Sequence, residues 1–502
     1  DLCGAVGARS TDIAEAAVCA NTAMHHLLLG LPVAQLGRAP FVAVLREHGM
    51  GQILDMVPNH MGVMGSDNAW WLDVLENGPA SGYARFFDID WFPLKDELRG
   101  KVLLPVLGDH YGSVLENGEL RLAFDPARGE FSVWYHEHRF PIDPGEYPRI
   151  LGHGLDRLEA RLGADHPQAL EFQSLVTAFG HLPTRMETSP EKVAERNRDK
   201  TIHKQHLAAL CAGNADIARF VEDTVGEFNG GAGGIAPFSL LDELLGAQAY
   251  RLAYWRVAAD EINYRRFFDI NDLAALRMEN DEVFEATHRL VLELLAQGKV
   301  DGLRIDHPDG LYDPVQYFRR LQESAALAQA LPVAANGGGR PAVKPLYVVV
   351  EKILAAQERL PRHWPVHGTT GYDFLNLANS LFVHPAAAPR LERTYAAFLG
   401  ERIDFDELLY RSKRLIMKTA LAGELNVLAH QLSRIAETDR HTRDFTLNGL
   451  RRALAEIVAC FPVYRTYVAP GEVSTDDIRC VDQAVAVAKK RSLAADLGIF
   501  DF

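Results

Sequence analysis

The chain has 502 residues, 48% hydrophobic and 24% charged, with 52 Lys and Arg against 67 Asp and Glu for a formal net charge of -15. That length and composition suit roughly two to three globular domains and exclude a disordered or fibrous protein. The acidic balance gives no electrostatic footprint for nucleic acid or an anionic membrane, so a neutral partner is expected.

Cys3, Cys19, Cys211, Cys460 and Cys480 are odd in number, widely spaced and never in CxxC. Neither a disulfide framework nor a zinc site is expected, and a reducing, cytoplasmic setting is. No stretch approaches the roughly 18 uninterrupted apolar residues of a membrane span. Asp1 opens the chain without a basic segment ahead of an apolar core, so no signal peptide is read there; the missing initiating Met reads as a fragment.

Residues 1 to 40 are Ala-rich and carry no motif. From Phe41 a helix-like FVAVLREHGM leads through glycines into the apolar run Ile53-Leu54-Asp55-Met56-Val57, which ends at Pro58-Asn59-His60 and predicts a buried strand. Residues 61 to 145 are aromatic and turn-rich and predict short strands; residues 147 to 228 predict helices, one of them opened by Ser189-Pro190-Glu191. Val283, Phe284, Thr287, Leu290, Val291, Leu294 and Leu295 form one helical stripe, followed by Gly298 and the strand Val300 to Asp306. Asp313-Pro314 then caps a helix, and a second strand runs from Leu346 to Glu351, which makes βαβ. Another apparent strand end lies at Gly368 to Phe374, and residues 385 to 495 read as mostly helix. Strand ends that carry carboxylates, His or Arg point to a parallel barrel, with an open doubly wound sheet as the alternative. No GxGxxG or GxxxxGK[ST] opens a helix after a strand, so no dinucleotide or P-loop site and no cofactor is expected.

Asp306 and Glu351 end two runs that should be neighbouring parallel strands. Retaining glycoside chemistry needs two carboxyl groups about 5 to 5.5 Å apart, one as nucleophile and one as acid/base. Arg304, two residues before Asp306, shares its side of the strand and can hold it ionised, while burial would raise the Glu351 pKa. Taken singly, each carboxylate is as easily a helix cap or a surface ion pair. Asp55, Asn59 and His60 surround a third strand end, where Asp55 could pair with Arg304 across a barrel and His60 face the pocket; a plain turn is the bland alternative. His307 and Asp309 with His60 and Asp55 could instead ligate a metal, although HxH and HExxH are both absent. Trp70, Trp71, Phe86, Phe87 and Trp91 suit a small domain's core more than sugar stacking, and aromatic residues recur at Trp255 and Tyr372.

DMVPNH, GLRID and VE resemble the first three sequence regions of the α-amylase superfamily (glycoside hydrolase family 13). More narrowly, ILDMVPNHMGV, WWLDVLENGPAS, FFDIDW, LRGKVLLPVLG, YRLAYWR, INYRRFFDINDLAALRMEN, DGLRIDHPDGLYDP, VEKIL, GTTGYDF and FPVYRTYV resemble the maltooligosyl trehalose synthase family over residues 41 to 502. The resemblance implies an α/β fold, an incomplete (β/α)8 TIM-type barrel with a large insertion after family strand three and a helical region after strand six. Barrel portions are then expected at 41-60 and 240-384, inserted subdomains at 61-239, a helical subdomain at 385-502 and an atypical segment at 1-40.

It implies an intramolecular transglucosylase acting on maltooligosaccharides or α-glucan, which turns the reducing-end α-1,4 bond into an α,α-1,1 bond. Asp306 is then the nucleophile and Glu351 the acid/base. Asp55, Asn59, His60 and Arg304 contact or organise the attacked glucose, and His307, Tyr372, Asp373 and Trp255 are candidates around the pocket. No cofactor or metal is implied, and a trehalose-releasing hydrolase, a maltooligosyl trehalose trehalohydrolase, is the functional partner. The family's first two barrel strands have no counterpart in residues 1 to 40, and its third aspartate is expected beyond Phe502, so weak activity or none is expected of this chain alone. The alternatives are an α-glucan hydrolase on the same carboxylate pair and an inactive glucan-binding fragment.

Overall fold

The computed structural model describes residues 45, 48–163, 165–231, 238–330, 344–469, 473–492 and 494–502. The reading of residues 1 to 40 lies outside them. The strands are β1 (Ile53–Met56), β2 (His60–Gly62), β3 (Val102–Leu107), β4 (Arg121–Asp125), β5 (Glu130–Tyr135), β6 (His138–Pro141), β7 (Tyr250–Tyr254), β8 (Arg266–Phe267), β9 (Ile270–Ala275), β10 (Gly302–Ile305), β11 (Tyr347–Val350) and β12 (Gly368–Thr369).

β1, β10, β11 and β12 form one parallel sheet in that order, with Asp55 opposite Arg304 and Ile305 opposite Val350. Side chains alternate across a strand, and here the two faces meet different surroundings. Leu303, Ile305, Val348 and Val350 are buried in one apolar cluster with Val283, Phe284, Val291 and Leu295 of the helix Asp281–Ala296 and Phe318, Leu321 and Ala325 of the helix Pro314–Ala328. Each such aliphatic side chain contributes about 1.5–3 kcal/mol by leaving water. The opposite face carries Ile53, Asp55, Arg304 and Tyr347, with Ile53 52% and Tyr347 43% exposed. These four strands therefore form an open parallel sheet covered on one face, neither a closed eight-stranded barrel nor a doubly wound sheet.

Both connecting helices begin as their sequences dictate. Asn280 accepts from the Glu282 N–H and Asp313 from the Gln316 N–H, which satisfies donors that a first turn leaves unpaired. The expected stripe needs one correction: Leu290 is 66% exposed, and His288 takes the inward position. Positions 284, 288, 291 and 295 share a face at helical spacing, and position 290 lies off it. The His288 ring stacks on Phe284 with centroids 4.0 Å apart, and its Nε2 is 2.9 Å from the Tyr317 hydroxyl.

The excursion between β2 and β9 holds the antiparallel sheet β4-β5-β6, the parallel pair β3-β7 and a layer of helices that includes Pro190–Gly213 and Ala215–Phe228. Trp71, Phe86 and Phe87 are buried in its core with Phe131, Phe172 and Phe220, so these aromatic residues pack against protein. After β12 the helices Tyr372–Ser380 and Ala388–Leu399 bury no residue, whereas Phe405–Thr419, Ala422–Ala436, Leu447–Ala459 and Thr475–Arg491 surround small cores such as Met417, Leu425 and Ala459. Among the described residues, no helix is long and apolar enough to cross a membrane. Cys211, Cys460 and Cys480 are free thiols.

Candidate active site

The sheet's hydrogen bonds continue one residue past the strands. The Asp306 N–H donates to the Met56 carbonyl at 2.9 Å, and the Glu351 N–H to the Ile305 carbonyl at 2.8 Å. Adjacent strands lie about 5 Å apart, so the two carboxylates spring from neighbouring backbone positions at one sheet edge. Arg304 links the first two strands: its Nη1 donates to Asp55 Oδ1 and Oδ2 at 2.8 and 2.9 Å and to Asp306 Oδ1 at 2.8 Å. Burial alone would lower the Arg304 pKa, but the bonds to Asp55 and Asp306 hold it above its ordinary value, so the cation beside Asp306 is permanent. The expected Asp55–Arg304 pairing exists, but between adjacent strands rather than across a barrel, because β10 lies directly beside β1.

His60 and Asn59 stand at the start of β2, which pairs with β9. Asn59 is buried, and its Oδ1 accepts from Arg265 Nη1 at 2.9 Å; the same Nη1 donates to the Gly310 carbonyl at 2.8 Å, and Arg265 Nε to Asp88 Oδ2 at 2.8 Å. Gly310 must lack a side chain, since a Cβ there would lie 2.4 Å from the Asn59 amide carbon. The His60 ring stacks on Phe267 at 4.2 Å, and Phe267 also meets His307 edge-on at 4.9 Å. Burial lowers the pKa of both histidines, opposed at His60 by Asp306 and at His307 by Asp309, Glu351 and Asp306. Both rings are therefore neutral at pH 7, each within the field of the candidate nucleophile. His307 has φ +42°, an uncommon conformation for a side-chain-bearing residue that turns the chain directly after Asp306.

A second knot closes the rim. Lys352, next to Glu351, is fully buried, and its Nζ reaches Asp309 Oδ2 and Glu358 Oε1, each at 2.9 Å. The Tyr467 hydroxyl donates to Asp309 Oδ1, and Arg465 Nη1 donates to the Asp309 and Leu311 carbonyls at 2.8 and 2.7 Å. The loops after β10 and β11 are thus clasped by the segment that returns from the helical region, and Tyr464 of that segment comes within 6.0 Å, ring to ring, of His307. Asp309, a ligand in the metal alternative, has both carboxylate oxygens engaged by Lys352 and Tyr467. No three His, Cys, Asp or Glu side chains among the described residues are grouped to hold a metal ion.

Of the other expected residues, two follow the strand beside β11 and one follows a strand of another sheet. Tyr372 and Asp373 open the helix after β12, where Asp373 accepts from Thr369 Oγ1 at 3.2 Å. Trp255 follows β7, in a sheet apart from the carboxylates, and its ring contacts are Tyr254 and the Arg256 guanidinium. Sequence reasoning missed Arg265, Lys352, Phe267 and Tyr464 beside the candidate site; the paired Arg265-Arg266 beside a strand and a Lys directly after Glu351 were the available signals.

Residues 1–57 match the family model described as RACo middle region, a short stretch that ends before Asn59 and His60 and lies mostly outside the described residues. A protein of Mycobacterium tuberculosis named "Putative maltooligosyl trehalose synthase" is 29% identical over 431 residues, 85% of this chain and 40% of that protein. The chain resembles maltooligosyl trehalose synthases. The solved structure of maltooligosyltrehalose synthase from Arthrobacter ramosus is 31% identical, with a TM-score of 0.58 over 91% of this chain and 43% of that one. A further maltooligosyl trehalose synthase structure is 26% identical, with a TM-score of 0.53 over 91% of this chain and 43% of that one. The chain thus spans less than half the length of the relatives it matches, and the resemblance read from its motifs holds for that part.

Proposed function

We propose that the chain carries the nucleophile and acid/base of an intramolecular transglucosylase that converts the reducing-end α-1,4 bond of a maltooligosaccharide into an α,α-1,1 bond. The observation that carries this reading is the Asp55–Arg304–Asp306 bridge set one strand from Glu351. In the first step Glu351 protonates the leaving glycosidic oxygen while Asp306, hydrogen-bonded by Arg304, attacks the anomeric carbon and forms the glycosyl-enzyme. The released glucose stays bound and turns. Glu351, now a carboxylate, takes the proton from its anomeric hydroxyl, which attacks the intermediate, frees Asp306 and retains configuration. His60, Phe267, His307 and Tyr464 wall this space, and excluding water there decides between transfer and hydrolysis. On this reading the enzyme works in the cytoplasm, and a hydrolase that releases trehalose consumes the product.

The second reading is hydrolysis on the same pair. It is favoured by the open inner face, where the Asp55 side chain is 58% exposed and water has access. Incubating the protein with maltopentaose and following reducing ends separates them. The transglucosylase lowers reducing ends and makes a non-reducing product, the hydrolase raises them, and Asp306→Asn lowers either turnover by about 10³-fold or more. Turnover unchanged in Asp306→Asn would overturn both.

A further inference from the structure

We infer a second ligand site in the inserted region, built to take an oxyanion, either free phosphate or a phosphate monoester. The helix Ala69–Asn77, the β4–β5 turn, β6 and the helix Pro190–Gly213 line an open pocket of about 610 Å³ that none of Asp55, Arg304, Asp306 or Glu351 lines. Its floor is ionic and buried: Glu76, Lys200 and Lys204 are 8%, 7% and 8% exposed. Burial alone would raise the Glu76 pKa, yet Lys204 and Lys200 hold it down to about 2, so the floor stays charged at every physiological pH.

The hydrogen bonds of that floor decide the ligand. Glu76 Oε1 accepts from Lys204, and Oε2 from Lys200 at 3.0 Å. Glu130 Oε1 accepts from Lys204 at 3.3 Å and Oε2 from Arg139 at 2.9 Å. Asp73 Oδ1 accepts from Lys200 at 3.0 Å and Oδ2 from Ser81 at 2.5 Å. Every carboxylate oxygen on the cavity is therefore engaged. The donors are not exhausted: each ammonium has three hydrogens and gives two to these carboxylates, and Arg139 gives one of its five N–H groups to Glu130. Arg128 at the mouth is 66% exposed, its Nε 3.9 Å from Asp125. The lining carries four cations, Arg128, Arg139, Lys200 and Lys204, against the three anions Asp73, Glu76 and Glu130. The unspent charged donors are thus cationic, which suits an acceptor-rich anion.

The mouth is also held in shape. Gly129 has φ +63° and sits so close to the long helix that a Cβ would lie 2.1 Å from the Lys204 carbonyl oxygen, which holds the β4–β5 turn against that helix. Leu72 and Pro141 line the cavity and no aromatic ring does, so it lacks the stacking platform that a glucose unit would use. A cavity this size exceeds what a bare ion fills and has room for the body of a small ester.

Calorimetric titration of the full chain with inorganic phosphate, with glycerol 3-phosphate and with maltotriose tests the site. Both phosphates are expected to bind, to weaken as salt rises from about 0.02 M to about 0.3 M, and to lose about tenfold or more in affinity in Arg128→Glu, whose exposed position leaves the fold intact. Tighter binding of the ester than of the ion identifies the monoester as the occupant, and equal binding identifies phosphate itself. Absence of binding by both phosphates, equal binding of maltotriose, or an affinity unmoved by Arg128→Glu in a protein of unchanged melting temperature would each overturn the proposal. None of these outcomes depends on turnover at Asp306.

Discussion

The inserted region and the parallel sheet bury their residues in opposite ways. In the insertion, aromatic side chains such as Trp71, Phe87 and Phe131 fill the interior, and even Glu76, Lys200 and Lys204 are inside, each with partners. The sheet is packed on one face only, and its other face presents Asp55 and Arg304 with Ile53 and Tyr347 exposed beside them. The first region spends its sequence on stability. The second leaves stability to its helix-covered side, and on the proposed function the other serves chemistry, since residues held at an accessible edge of a rigid sheet are placed without being sealed off.

Breaking the contrast from the insertion side gives the largest stability effect. Trp71→Ala, at a ring 1% exposed, should cost about 3–5 kcal/mol in denaturant unfolding. The covered side of the sheet comes next, through pH. Burial lowers the His288 pKa from 6.5 to about 4, so the unfolded chain binds the proton more readily than the folded one. Stability contributed by neutral His288 is intact above pH 6.5 and is lost as pH falls from about 6.5 to about 4, by about 3 kcal/mol over the window. Thermal unfolding across that range, repeated on His288→Gln, should show a shallower fall in the variant.

Val291→Ala, 6% exposed, should cost about 1–2 kcal/mol, while Leu290→Ala on the same helix should stay within about 0.5 kcal/mol. Equal costs would mean that Leu290 is covered in solution. Smallest in stability is the open face: Arg304→Met should shift unfolding by about 1 kcal/mol or less, yet it removes the hold on Asp306 and should abolish most turnover of maltopentaose. A large loss of stability in Arg304→Met would show that this face is also structural.

The βαβ alternation and the polar strand ends were legible because short apolar runs stop at Asp306 and Glu351, and because Asp313 announces the helix that follows. The parallel neighbours β10 and β11 were legible too, but the place of β1 was not. Nothing local says that β1 lies beside β10, 249 residues away at the Asp55–Arg304 contact, and so the pairing was expected across a barrel. The Leu290 error has the same root, since apolar character is a property of a residue and burial a property of its neighbours. Arg265 and Lys352 escaped notice because their roles arise from contacts 206 and 43 residues distant, to Asn59 and Asp309. The aromatic character of Trp255 carried no information about place, and the residue follows β7 in a sheet apart from the carboxylates.

The clasp at Asp309 has a temporal consequence. Its partner Tyr467 is 158 residues downstream, so the chain must close a very long loop before the segment after the two carboxylates is held. Made from its N-terminus, the protein exposes Asp306 and Glu351 well before the residues that brace them have been synthesised. Competence then arrives late, as a final fastening, and hydrogen exchange during refolding should protect the amides of residues 307 to 311 after those of β10.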